Sequence, residues 1–483
     1  EFQRLGHIAV DLAAEHMFGM RERSVFTPMS GAERSVLMQA SLPDMGMPPT
    51  RILELVRSRI MAHPMGNGHP RFFGWANSPP SSMGVLSELL AAAVNPSCAG
   101  GDHAATYVEH CALRWLMEIV GYPAEHSHGI LVSGGSLASL TCLAAARHSA
   151  LQRGGWDVRK QGLFSAPRLV LYVSDQSHSC LHKAADVLGL GSDHVRVIPS
   201  GADYRMEVPA LEAAIAADRA AGLTPFCVSA SAGTVNTGAI DPLHALAALC
   251  AREMLWFHVD GAIGAVAALD ESLSELSALA LADSVALDPH KWMGIPVECG
   301  AALVRDGRAL RDAFSLVPAN LRTEHGNRGF GGLPWFSEFG VQQTRGFRAL
   351  KLWTTLLHLG REGMRRRVKQ HRALARALAG RIAQEPLLEL LTQPELAIVC
   401  FRYTGLADPL PDLLDAFNRA LVAQLQTEGE VFVTGTELKQ GYALRVSIMH
   451  HATRATDLAL LVQVVLNAAA RLQEGFSSAE LRR

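Results

Sequence analysis

No CxxC pair occurs in this 483-residue chain, although it carries eight cysteines. Thiols scattered from Cys98 to Cys400 exclude a zinc-ribbon or dithiol redox class, and the expectation is reduced core cysteines and no metal site. Charge of one sign is missing too: 44 Lys and Arg stand against 46 Asp and Glu, a formal net of −2. There is no basic block interleaved with aromatics, so nucleic acid is not an expected partner. No apolar run approaches the roughly 18–20 uncharged residues of a membrane helix, and no membrane partner is expected. Neither end resembles a signal peptide, and the scattered thiols, expected to be reduced, make the expected location cytoplasmic.

What is present is an ordinary globular composition, 49% hydrophobic and 19% charged, in enough chain for two or three packed units. Residues 1–40 space their apolar side chains at three and four, which predicts helices with one buried stripe. "LPDMGMPPT" breaks that pattern, and "RILELVRSRIM" resumes it. The turn formers of "HPMGNGHPRFFGWANSPPSSMG" predict a loop, and Phe72, Phe73 and Trp75 within it predict one packed against something. From about 84 to 345, short apolar strands ("GILVSGG", "RLVLYVSD", "FCVSASAG", "LWFHVDGA", "SVALDP", "CGAALVRD") alternate with helical stretches. Apolar strands joined by helices predict an α/β domain around a mostly parallel sheet covered by helices. After a helical region over 346–385, "LAIVCFRYTG" and "YALRVSIMHH" alternate as half-exposed strands of a smaller α+β domain. The expected division is a helical segment with its loop over 1–81, a large domain over 82–348 and a small one over 349–483.

Sites in an α/β sheet are built where strands end. "LVSGGSLASL" runs from a strand through Gly-Gly-Ser into a helix, so Gly135 lets an anion approach the backbone and Ser136 adds a hydroxyl. It is neither a GxGxxG fingerprint nor a P-loop, which argues against a dinucleotide or a triphosphate. His178 follows a strand in "LYVSDQSHS", and Asp260 closes the apolar strand of "WFHVDGA". A carboxylate in that position requires a cationic or hydrogen-bonding partner. In "SVALDPHKWMGI", Lys291 follows His290 with apolar residues on both sides, and an amine desolvated there becomes a nucleophile. An anion cradle, a reactive amine and a carboxylate for a ring nitrogen are together what pyridoxal 5′-phosphate requires.

The motifs "HPRFFG", "SGGSLASL", "SDQSHS", "HVDGAIG", "DPHKW" and "RGFRALKLW", in this order from about residue 40 to 450, resemble the group II pyridoxal-phosphate-dependent amino acid decarboxylases. These are the aromatic-L-amino-acid, histidine and glutamate decarboxylases. The resemblance implies a fold type I, aspartate aminotransferase-like architecture and a homodimer whose N-terminal segment embraces its partner. It implies a Schiff base on Lys291, Asp260 at the ring nitrogen, Ala262 beneath the ring and His178 stacked above it. It places the phosphate around Gly135 and Ser136 with help from His290, and Thr234 among the cofactor contacts. The implied reaction is decarboxylation of an L-amino acid to the amine and CO2.

Two departures qualify that expectation. In amine-forming relatives a loop tyrosine after the lysine helps return a proton to the substrate carbon. Asn320 stands at that position, and an amide is no useful acid near neutral pH. An oxidative course to aldehyde, ammonia and peroxide is therefore the alternative, with Asn320 and His178 the residues on which the outcome turns. In the substrate pocket Trp75 and Phe73 fit an aromatic substrate, whereas Ser97 replaces a phenylalanine of aromatic decarboxylases. Arg345 is either a partner for a substrate carboxylate or half of a structural ion pair.

Overall fold

Seven apolar stretches pair into one sheet in the computed structural model, which describes residues 1–316, 333–407 and 409–475. They are β1 (His128–Val132), β2 (Leu169–Ser174), β3 (Val195–Ile198), β4 (Thr224–Ser231), β5 (Trp256–Asp260), β6 (Ser284–Leu287) and β7 (Gly300–Val304). Their spatial order is β1-β7-β6-β5-β4-β2-β3. The run from β6 to β3 is parallel, and β7 is antiparallel to both of its neighbours, β6 and β1. Two reversals restore direction, so β1 points the same way as the parallel set. Every residue of β2, β6 and β7 is buried, as expected of a sheet covered on both faces.

Small side chains bring the covering helices close. The Gly135–Arg153 helix buries Ala138, Cys142, Ala145 and Ala146 and packs on β6 and β7. The Val208–Ala220 and Leu243–Glu253 helices pack on β4. Six of these strands are those the sequence predicts. The exception is β3, four residues long and interrupted by the part-exposed Arg196.

By compactness the sheet belongs to a unit of residues 80–372 with 394–396, and the described residues of 1–79, 373–393 and 397–483 form another. The expected helix over 346–385 is Arg348–Ile382, two helices meeting at Gly360, whose φ of 63° is non-helical. The second unit holds an antiparallel sheet of β8 (Leu388–Leu390), β9 (Ile398–Tyr403), β10 (Thr434–Leu438) and β11 (Gly441–Ser447), ordered β10-β11-β9-β8. The Ala455–Gly475 helix is long and apolar enough to cross a membrane by length and composition, which the search for uncharged runs passed over. In the structure it packs on the Pro411–Glu428 helix and buries Leu458, Leu461, Val465 and Ala468. In the N-terminal part the Phe2–Phe18 and Gly31–Met38 helices bury no residue, so the stripe expected to be covered stays open in this chain. The aromatic loop behaves as predicted. Phe72 stacks on Phe432 at 4.8 Å, and Phe73 donates its N–H to the Phe432 carbonyl.

Candidate active site

The carboxyl ends of β1, β2, β4, β5 and β6 all face one edge of the sheet, because these strands share a direction. A cavity of about 340 Å³ opens there. Its lining includes the Ser133–Leu137 turn after β1, His178 and Cys180 after β2, and Ser231 and Gly233 at the end of β4. Asp260 and Ala262 from β5, and Asp288, His290 and Lys291 from β6, complete it. Seven residues chosen from sequence, Gly135, Ser136, His178, Asp260, Ala262, His290 and Lys291, thus meet in one place.

Lys291 is not sealed in the interior. Its side chain is 23% exposed, and Nζ lies 3.0 Å from Asp288 Oδ2. Asp288 lines the cavity beside the lysine and was not singled out from the sequence. Its side chain is 2% exposed, and Oδ1 is buried without a hydrogen-bond partner among the described residues. The signal was available, since Asp288 is an acid directly after a wholly buried strand, much as Asp260 closes one. Asp260 itself accepts the Ala262 N–H at 3.1 Å, which fixes one carboxylate oxygen and the backbone beside the cavity floor.

The glycine turn is shaped for close approach to its backbone. A Cβ on Gly135 would come within 2.8 Å of Asp288 Oδ2 and 3.3 Å of the Ala262 methyl. One on Gly134 would stand 3.1 Å from the His290 ring, and Gly300 of β7 backs onto Gly134 so tightly that its own Cβ would fall 2.5 Å from the Gly134 Cα. Behind this turn begins a 19-residue helix, whose first N–H groups and positive dipole end face the cavity.

Backbone groups set both histidines. His290 Nδ1 accepts the Cys299 N–H and His178 Nδ1 accepts the Cys180 N–H, each at 3.1 Å. In the neutral form each ring therefore carries its proton on Nε2. Packing around the His178 ring lowers its pKa despite one exposed side, and the nearby Asp260 charge opposes that shift. Burial likewise lowers His290, against the pull of Asp288. Burial pushes the Cys180 thiol up to about 12, so it lines the cavity as a neutral group.

Other predicted site residues lie elsewhere. Thr234 sits between the lining residues Gly233 and Val235, but its hydroxyl is engaged within its own turn, by Thr237 Oγ1 at 2.8 Å and the Ala239 N–H at 3.1 Å. Thr234 itself is not among the lining residues. Ser97 is exposed in the loop after the Ser82–Val94 helix and is not among the lining residues. Phe73 and Trp75 belong to the other unit, where Phe73 is wholly buried and Trp75 packs on Phe72 and Phe432. Asn320 falls outside the described residues. Arg345 is a structural cation. It is fully buried with Glu109 and also donates to the Cys98 and Leu131 carbonyls, at 2.8 and 2.7 Å.

A strand-edge cavity with an amine, two carboxylates and a glycine-lined helix start defines a pyridoxal-phosphate enzyme of fold type I, and the comparisons with known proteins agree. Residues 32–404 match the model of the pyridoxal-dependent decarboxylase conserved domain, and the chain belongs to that family. It is a pyridoxal-phosphate-dependent amino acid decarboxylase, a carbon–carbon lyase. An aromatic-L-amino-acid decarboxylase of Bacillus atrophaeus is 31% identical over 98% of this chain and 96% of that protein. A phenylacetaldehyde synthase of Arabidopsis thaliana is 28% identical over 93% of this chain and 91% of its own. Among solved structures, that of Oryza sativa TDC with PLP and tryptamine superposes with a TM-score of 0.91 at 26% identity, covering 97% of this chain and 98% of that one.

The residues fit the cofactor. Bare glycine backbone at the helix start suits a phosphate. The amine of Lys291 suits an aldehyde, and Ala262 with Ile263 and Val235 supplies apolar lining for a ring.

Proposed function

We propose that the enzyme decarboxylates an aromatic L-amino acid to its amine and CO2. The observation that carries this reading is the convergence of Lys291, Asp260, His178 and the Gly134–Ser136 turn on one cavity. The cofactor, when bound, supplies a sink for the electron pair left behind as CO2 departs. The chain's own groups do the rest. Lys291 is the amine that would bond the cofactor aldehyde and that a substrate amine would replace. Asp260, held by the Ala262 N–H, is the carboxylate that would keep a proton on the ring nitrogen. The N–H groups at the start of the Gly135–Arg153 helix, the Ser136 hydroxyl and His290 Nε2–H hold the phosphate. His178 carries its proton on Nε2 and is the group that returns one to the substrate α-carbon.

A second reading has support of its own. Asn320 stands where amine-forming relatives have an acid, and a phenylacetaldehyde synthase is among the similar proteins. On that reading the decarboxylated carbon is oxidised by O2, giving aldehyde, ammonia and peroxide. An aerobic incubation with each of the twenty amino acids, quantifying amine, aldehyde and peroxide, tests both. Stoichiometric amine from an aromatic substrate without peroxide supports the first reading, and peroxide matching aldehyde replaces it with the second.

The same preparation is expected to scatter light as a homodimer. Exposed Phe2, Val10 and Phe18 on the first helix, and Leu86, Leu89, Leu90 and Val94 on the Ser82–Val94 helix, are apolar surface that a second copy would cover. All eight cysteines are free and all but Cys111 are buried, in keeping with a cytoplasmic enzyme.

A further inference from the structure

We infer that Asp288 is a positioning residue that holds the Lys291 amine as its counter-ion and thereby works against retention of the cofactor. The inference rests on the reading that Lys291 bonds the cofactor aldehyde, and deepens it.

A carboxylate with 2% of its surface exposed is tolerated when a cation compensates it. Here the compensating group is Lys291 Nζ, 3.0 Å from Oδ2, with His290 Nε2 a further contact at 3.8 Å from the same oxygen. The other oxygen, Oδ1, has no partner among the described residues, so the ion pair rests on one side of the carboxylate alone. Two costs of loading follow. Committing the amine to a carbon leaves Asp288 facing a nitrogen with fewer N–H groups and a less concentrated charge, and weakening the partner of a buried carboxylate is unfavourable. The Gly135 backbone also lies flush against Oδ2, since a methyl there would approach to 2.8 Å. An anion held by that turn therefore shares its surroundings with a fixed negative charge, with little water between to screen it. Both effects oppose occupation of the site. An amide of the same shape has neither.

The test is equilibrium dialysis of the holoenzyme, with the cofactor's visible absorbance reporting the bound fraction. Asp288→Asn is expected to bind pyridoxal 5′-phosphate about tenfold more tightly than the wild type. Asp288→Glu keeps the charge and is expected to bind no more tightly than the wild type. Equal or weaker binding by Asp288→Asn would overturn the inference, as would tightening in both variants. A carboxylate with a merely structural role would loosen the cofactor on replacement. Should Asp288→Asn fail to fold by thermal melt, Asp288→Ser, also neutral and smaller, takes its place with the same expectation. Borohydride reduction and peptide mapping of the wild-type holoenzyme keep the two readings apart. A label on Lys291 upholds the assignment on which the inference rests, and a label elsewhere ends that assignment however the Asp288 variants behave.

Discussion

Gly300 carries no functional group, yet the site depends on it. Its missing side chain lets β7 back onto Gly134, with atoms of the Gly134 backbone where a Cβ would sit. Because the obstruction is backbone, no rotamer change relieves it, and the turn itself must move. Gly300→Ala is expected to lower kcat/KM by about tenfold to a hundredfold through misplacement of the turn, with weaker cofactor binding by absorbance titration. A protein with unchanged affinity would show that the turn is not the anion cradle. This glycine could not be read from sequence, because its role appears only when β1 and β7 pair. Lys291, Asp260 and His178 were legible for the opposite reason, since each is a chemically active group at the end of a buried strand or within four residues of it. Asp288 offered the same signal beside a more conspicuous lysine. The turn bond of the Thr234 hydroxyl was not legible, because it depends on how residues 234–239 fold back on themselves.

Between elements, the buried pair of Glu109 and Arg345 ties a helix to β1. Glu109 sits on the Ala104–Val120 helix and accepts the Leu131 N–H of β1 at 3.2 Å, while Arg345 donates to the Leu131 carbonyl. One helix and one strand are thereby locked just before the strand enters the glycine turn. Removing one charge of such a pair leaves the other buried and uncompensated. Glu109→Gln is expected to cost about 3–5 kcal/mol of stability in urea or thermal unfolding. A loss below about 1 kcal/mol would mean that the pair is not the anchor. Elements were legible where their pattern was long and uniform. Continuous apolar runs marked six strands of the large sheet, whereas β3, β8 and β10 are short or mixed with polar residues. The break at Gly360 was hidden because its neighbours keep a helical spacing on either side.

Across the whole molecule, acid is expected to unfold this enzyme from a mild pH. Burial lowers His69, His110 and His258 to about 4, and His128 and His450 to about 3. Each folded-state pKa lies below the unfolded value near 6.5, so the unfolded chain binds more protons between the two. The stability these rings contribute is complete above about pH 6.5 and is lost as pH falls towards 4. Asp241 acts in the opposite sense, because burial raises it to about 6 and its cost to the fold grows as pH rises to that value. The histidines outnumber it, and the melting temperature is expected to fall steadily from pH 7 to pH 5, with a slope of more than one proton per molecule. A flat profile over that range would contradict the burial of these rings. The antiparallel β7 carries a last consequence, for synthesis on the ribosome. Among the described residues β1 has no neighbour in its sheet except β7, so residue 132 must wait for residue 300 before it pairs at all. The nascent chain therefore carries β1 as an unpaired apolar strand while residues 133–300 are made, and the glycine turn after it is among the last parts of the sheet to be braced.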